Sequence, residues 1–184
     1  MSGAGRHQTR PARSPGHVAA LGLAALAFTL AVTGCAQKSA SQDAAAIASG
    51  KLPASYRDWR LISVGHEAGK QDDLRAILGN DIAIKAARAV GQPYPDGSII
   101  ARVAWQYQPL AESAQAFGQA QSFVAGAAKN GVQFMIKDSA KYASSGGWAF
   151  VQFNDGERAP DVTACFNCHQ IVKARDFVFN RYAE

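Results

Sequence analysis

Two thiols and an imidazole, Cys165, Cys168 and His169, stand together near the end of this chain, with fifteen residues after the histidine. In the run "CFNCHQ" the cysteines are three positions apart and His169 follows the second directly. That spacing suits covalent haem attachment, because two thiols can reach two porphyrin vinyl groups while the adjacent imidazole is offered to the iron as axial ligand. Three cysteines and four histidines in random order would produce the pattern in about one such sequence in a thousand. A structural zinc site needs four ligands, yet there is no second cysteine pair, and His66 is the one other histidine beyond the leader. A thioredoxin-like redox pair belongs between an early strand and a helix, whereas this pair comes late. The reading favoured is one haem c per chain, held by Cys165 and Cys168 with His169 on the iron.

A sixth ligand is harder to find. No methionine follows His169, and Met135, the single methionine besides the initiator, falls on a predicted strand where it reads as a core side chain. A five-coordinate iron with an open face is therefore expected, which favours small-molecule chemistry or gas binding over pure electron relay. Four-helix haem proteins also carry a late motif and an open iron, but the strands predicted here count against a bundle.

The chain opens with Arg6, Arg10 and Arg13, no acidic residue, and an apolar run from Val18 to Val32. Such a run is about fifteen residues, short of the roughly twenty that a membrane-crossing helix needs, and reads as an export signal. Its end, Val32-Thr33-Gly34-Cys35, is similar to a bacterial lipoprotein signal, so 1–34 is expected to be a signal peptide and Cys35 the lipidation site. The mature protein would then sit in the bacterial periplasm, anchored to the membrane through its lipid. Three of the nineteen basic residues leave with the leader, so sixteen face fourteen acidic ones, and nothing argues for nucleic acid. What remains suits one domain with a single core.

The elements that must position the motif follow from local pattern. Residues 35–51 are small and polar and read as a flexible tether; the domain is expected over 52–184. Strands are predicted over Asp58 to His66, Leu74 to Leu78, Ser98 to Tyr107, Val132 to Lys137 and Trp148 to Asn154, separated by turns such as Pro95-Asp96-Gly97 and Asn154-Asp155-Gly156. Asn80-Asp81 should cap a helix over Ile82 to Ala89, and Asp138 a short one over Ser139 to Ala143. Ala111 to Ala128, rich in Ala, Gln and Gly, reads as a mobile loop with some helix. The fold class implied is α+β: an antiparallel sheet with short helices and a C-terminal haem c attachment segment.

The stretches "LPASYRDWRLISVG", "LRAILGNDIAIKAAR", "PYPDGSIIARVAW", "FMIKDSAKYASSGGWAFVQF" and "TACFNCHQIVKARDFVFNRY" resemble the cytochrome P-460 family, which includes the cytochromes c′-beta. The resemblance covers about Leu52 to Glu184. It implies an antiparallel sheet with helices, a haem c at the late motif, a five-coordinate iron and a homodimer. In the cytochromes P-460 it further implies oxidation of hydroxylamine with a lysine cross-linked to the haem, and hence a redox partner protein; in the cytochromes c′-beta it implies binding of nitric oxide or related gases without that link. Here Arg102 aligns with the cross-linking lysine, and a guanidinium that stays protonated is a poor candidate for the bond. That weakens the enzymatic reading. Lys85, Lys137 and Lys141 are the alternative donors for that link, and Arg102 becomes the candidate catalytic residue, a fixed positive charge beside a propionate or bound anion or simply a solvated strand arginine. Trp105, Phe134 and Trp148 read as core aromatics or pocket walls, Tyr142 as a pocket hydroxyl or a surface residue, and His66 as a turn or dimer-surface residue. Lys173, Arg175 and Arg181 read as propionate partners or a plain basic surface.

Overall fold

The computed structural model describes residues 37–89, 91–159 and 163–184. The expected signal peptide and Cys35 lie outside the described residues.

Six strands follow one another across a single antiparallel sheet in the order of the sequence. They are β1 (Arg60–Glu67), β2 (Asp73–Gly79), β3 (Ile99–Pro109), β4 (Phe123–Lys137), β5 (Trp148–Asn154) and β6 (Glu157–Arg158). A helix over 37–48 (α1) precedes them; α2 (Asp81–Arg88) and α3 (Ala111–Phe117) fill connections, and α4 (Thr163–His169) runs into a 3₁₀ segment, Gln170–Arg175. The architecture is α+β, as expected.

The sheet has two differently used faces because side chains alternate along each strand. One row, Leu78, Ala101, Phe134 and Val151, lies in register across β2 to β5 and is buried on one face. Tyr56 and Trp59 meet Phe134 edge-on there, at 5.6 and 6.2 Å between ring centroids, and Phe153 does so at 5.8 Å. The adjacent row, Ile77, Arg102, Gln133 and Gln152, points the other way. A second cluster on that side joins Ile62, Ile77, Ile84, Ile100, Trp148, Phe150, Phe177 and Val178 to α2 and the C-terminal segment.

Three expectations are corrected. The stretch read as a tether is helical over 37–48, and its Ile47 is fully buried in the first cluster with Ala44 packed beside it. Alanine-rich sequence lacks a strong apolar period but is a good helix former, and one buried isoleucine contributes about 1.5–3 kcal/mol. Ala111 to Ala128 is not a loop throughout: after α3, β4 begins at Phe123 and runs fifteen residues. Small residues there have low strand propensity, but pairing decides, with Tyr107 opposite Ala125 and its ring stacked 4.2 Å from that of Phe123. The helix expected over Ser139 to Ala143 shifts to a 3₁₀ turn at Ala143–Ser145, although Asp138 does accept a hydrogen bond from the Lys141 amide at 2.9 Å. Asn80 caps α2 as expected, accepting from the Ala83 amide at 2.9 Å.

Candidate haem-binding site

Cys165 and Cys168 lie on α4 with His169 as its last residue. Helical offsets of three and four residues put Cys165, Cys168 and His169 on neighbouring positions of one face. All three line a cavity of about 670 Å³ between the C-terminal segment and the sheet. Its opposite wall comes from the outward row Ile77, Arg102, Gln133 and Gln152, with Ile100, Met135 and Phe150 beside it. Phe150 and Phe179 flank the imidazole, with centroids 4.8 and 4.9 Å away.

His169 Nδ1 stands 2.6 Å from the Phe177 carbonyl oxygen. A carbonyl can only accept, so Nδ1 carries the proton and Nε2 of the neutral ring keeps a lone pair. Burial lowers the imidazole pKa, against the backbone bond to Phe177 which raises it, and the ring is held neutral. This is the arrangement a metal-binding histidine requires, since an outer hydrogen bond fixes both tautomer and ring orientation.

Arg102 is not a solvated strand arginine. Its Nη2 donates to Oδ2 of Asp73, a fully buried carboxylate that also accepts from Asn130 Nδ2 at 2.7 Å and Arg75 Nε at 2.7 Å. Arg75 Nη2 also lies 2.6 Å from Asp73 Oδ1 yet makes no aligned hydrogen bond, so Nε is the effective donor. Glu67 pairs with Arg75 on its other side. Burial alone would raise the Asp73 pKa; the bonds from Asn130 and Arg75 and the charges of Arg102 and Arg75 outweigh it and hold the carboxyl below its usual value. Burial, with repulsion from Arg75, lowers the Arg102 pKa against the pull of Asp73 and Glu67. Arg102 Nη1 is buried without a hydrogen-bond partner.

The other candidates separate cleanly. No lysine is among the described residues that line the cavity. Lys137 is buried and paired with Asp176 at 2.7 Å, Lys85 is exposed on α2, and Lys141 is exposed with its ammonium 5.3 Å above the Tyr142 ring. Phe134 and Trp148 are core residues, though Phe134 also reaches the cavity wall, and Trp105 lines a smaller pocket on the other face. Tyr142, Lys173, Arg175 and Arg181 do not line the cavity, and His66 is exposed, stacked on Tyr107 at 4.0 Å. Met135, read from sequence as core, is half-buried on the cavity wall. Sequence reasoning missed Asp73, Asn130, Gln133 and Gln152. Gln133 and Gln152 had a signal: each is one polar residue between apolar neighbours in a strand, on the face opposite those neighbours.

A meander sheet with an imidazole, two thiols and a wall of mixed apolar and polar side chains gathered on one face is the framework of a haem-binding protein. The sequence model of the cytochrome P-460 family matches residues 53–180, and the chain belongs to that family. No curated protein sequence matches it. The family implies a haem cofactor with its iron, and the residues present fit one: a neutral imidazole with a free Nε2, two thiols on the same helical face, and a cavity able to take a large flat ligand.

Proposed function

We propose that the protein is a periplasmic, lipid-anchored, homodimeric haem c protein that binds a small nitrogen compound, nitric oxide or hydroxylamine, at the open axial position of its iron. Bound haem supplies an iron that coordinates such ligands and exchanges electrons with a redox partner protein. Cys165 and Cys168 would hold it as two thioethers, the product of adding each thiol S–H across a vinyl group. His169 presents Nε2 while Phe177 holds its Nδ1 proton. Ile77, Ile100 and Phe150 supply apolar surface to the cavity wall, and Arg102, held by Asp73, supplies a guanidinium to it.

The observation that carries this reading is the hydrogen bond from His169 Nδ1, which prepares Nε2 as a ligand beside the two thiols. Ligand binding is favoured over lysine-linked hydroxylamine oxidation because the position expected to hold lysine is Arg102, committed to Asp73, and no described wall residue is lysine. A second reading, an electron carrier with Met135 as sixth ligand, is favoured by the place of Met135 on the wall.

Intact mass and digest of the haem peptide are expected to show two thioethers and no lysine. Optical and EPR spectra are expected to show a high-spin iron that binds nitric oxide reversibly, without turnover of hydroxylamine in the presence of an electron acceptor, and Met135→Leu should leave those spectra unchanged. A lysine adduct with turnover would refute the binding function; a low-spin spectrum lost in Met135→Leu would establish the carrier instead.

A further inference from the structure

The carbonyl that fixes His169 belongs to Phe177, which has a left-handed backbone (φ 63°) directly after a second left-handed residue, Asp176 (φ 51°). Aspartate tolerates that region, but a bulky phenylalanine does so only where its surroundings impose it. Here they do. Asp176 Oδ1 accepts from Lys137 Nζ at 2.7 Å and from Trp148 Nε1 at 3.3 Å, and Oδ2 accepts from the Tyr94 amide at 2.8 Å. Lys137 is itself buried, donates to the Gly146 carbonyl at 3.1 Å and lies over the Trp148 ring at 4.9 Å. The Phe177 ring packs against Gly146 so closely that a Cβ there would lie 2.1 Å from it. Lys137, Asp176, Trp148 and Tyr94 are all absent from the described cavity wall.

We infer that Asp176, through its ion pair with Lys137, is a positioning residue for His169: it holds the Phe177 carbonyl against Nδ1–H and so sets how strongly the imidazole donates to the iron. The inference rests on the haem reading above. A firm Nδ1–H bond leaves more electron density on Nε2 and favours the oxidised iron; a loosened one does the reverse. The pair is net neutral, so removing both charges leaves the local charge unchanged and isolates the positioning effect.

The test compares the full-chain holoprotein with Lys137→Met/Asp176→Asn and with the milder Asp176→Asn, reading the ferrous iron–histidine stretch by resonance Raman and the reduction potential. The double variant is expected to lower the stretching frequency and to shift the one-electron equilibrium up to about tenfold towards the reduced form, about 59 mV. Should the double variant not fold, Asp176→Asn is expected to lower the stretch in the same direction. An unmoved stretch and potential, with only thermal stability lost, would overturn the relay and leave the pair a structural clamp. A wild-type protein with no iron–histidine band would overturn the haem reading and the relay together.

Discussion

Replacing Asp73 with alanine removes the carboxylate that Arg75 and Arg102 share, and leaves two largely buried guanidiniums without it. Breaking a buried pair by deleting one partner costs about 3–5 kcal/mol, because the remaining charge is uncompensated. Arg75 keeps Glu67, which places the loss near the lower end, about 3 kcal/mol, equivalent to about 6–12 °C in Tm for a chain of this size. Arg102→Leu is the informative contrast. It leaves Asp73 bonded to Arg75 and Asn130 and removes the unpartnered Nη1, so its cost should be nearer 1 kcal/mol. Urea unfolding of the holoproteins measures both. The pH dependence is a second readout: a carboxyl whose folded pKa is depressed contributes stability in full above its unfolded pKa of about 4, and loses that contribution as pH falls through the folded value. The gap between wild type and Asp73→Asn should therefore be constant at neutral pH and close in acid. Equal costs for Asp73→Ala and Arg102→Leu, or a gap that persists in acid, would refute the hub.

Gly146→Ala should destabilise the protein by about 1–3 kcal/mol in thermal unfolding, because its Cβ would overlap the Phe177 ring in a backbone of φ +68°. Asn80→Ala should cost about 2 kcal/mol by the same measurement, since Oδ1 accepts from the Ala83 and Ile99 amides and Nδ2 donates to the Gly97 carbonyl at 2.8 Å.

Local signals in the sequence carried the parts of this fold that depend on local chemistry. Asn80 and the Pro95-Asp96-Gly97 turn act through neighbouring backbone groups, so their residue types alone announce them; Ser98 donates back to the Pro95 carbonyl at 2.7 Å as such a turn requires. The bounds of β5 follow likewise from its apolar run and the turn after it. What local pattern could not carry is set across the sheet. After Phe123 and Val124, residues 125–128 of β4 are alanine and glycine and become strand only because β3 pairs with them, and a side chain at Gly126 would meet Gln106 and Gln108. Asp73 looks in sequence like the end of a polar turn; its role appears only when β3 and the β4 bend at Asn130 bring Arg102 and Asn130 beside it.

The two faces of the sheet explain why a late motif can make a site at all. On one face, α1, Tyr56 and Trp59 seal the row that contains Phe134 and Val151, so the sheet has a core to which the C-terminal segment contributes no residue. The other face is then free to expose a row that mixes Ile77 with Arg102, Gln133 and Gln152, polar groups that a sealed core could hold only if every one were bonded. Gln133 and Gln152 bond each other at 2.9 Å, and Arg102 is tied to Asp73, so this wall stays ordered while remaining open to a ligand. Docking of the final segment depends on a different set of bonds, centred on Asp176. The wall and the imidazole are therefore held by separate networks, and substitutions at Asp73 should alter what the cavity binds without moving the His169 ring, whose Nδ1 stays on the Phe177 carbonyl.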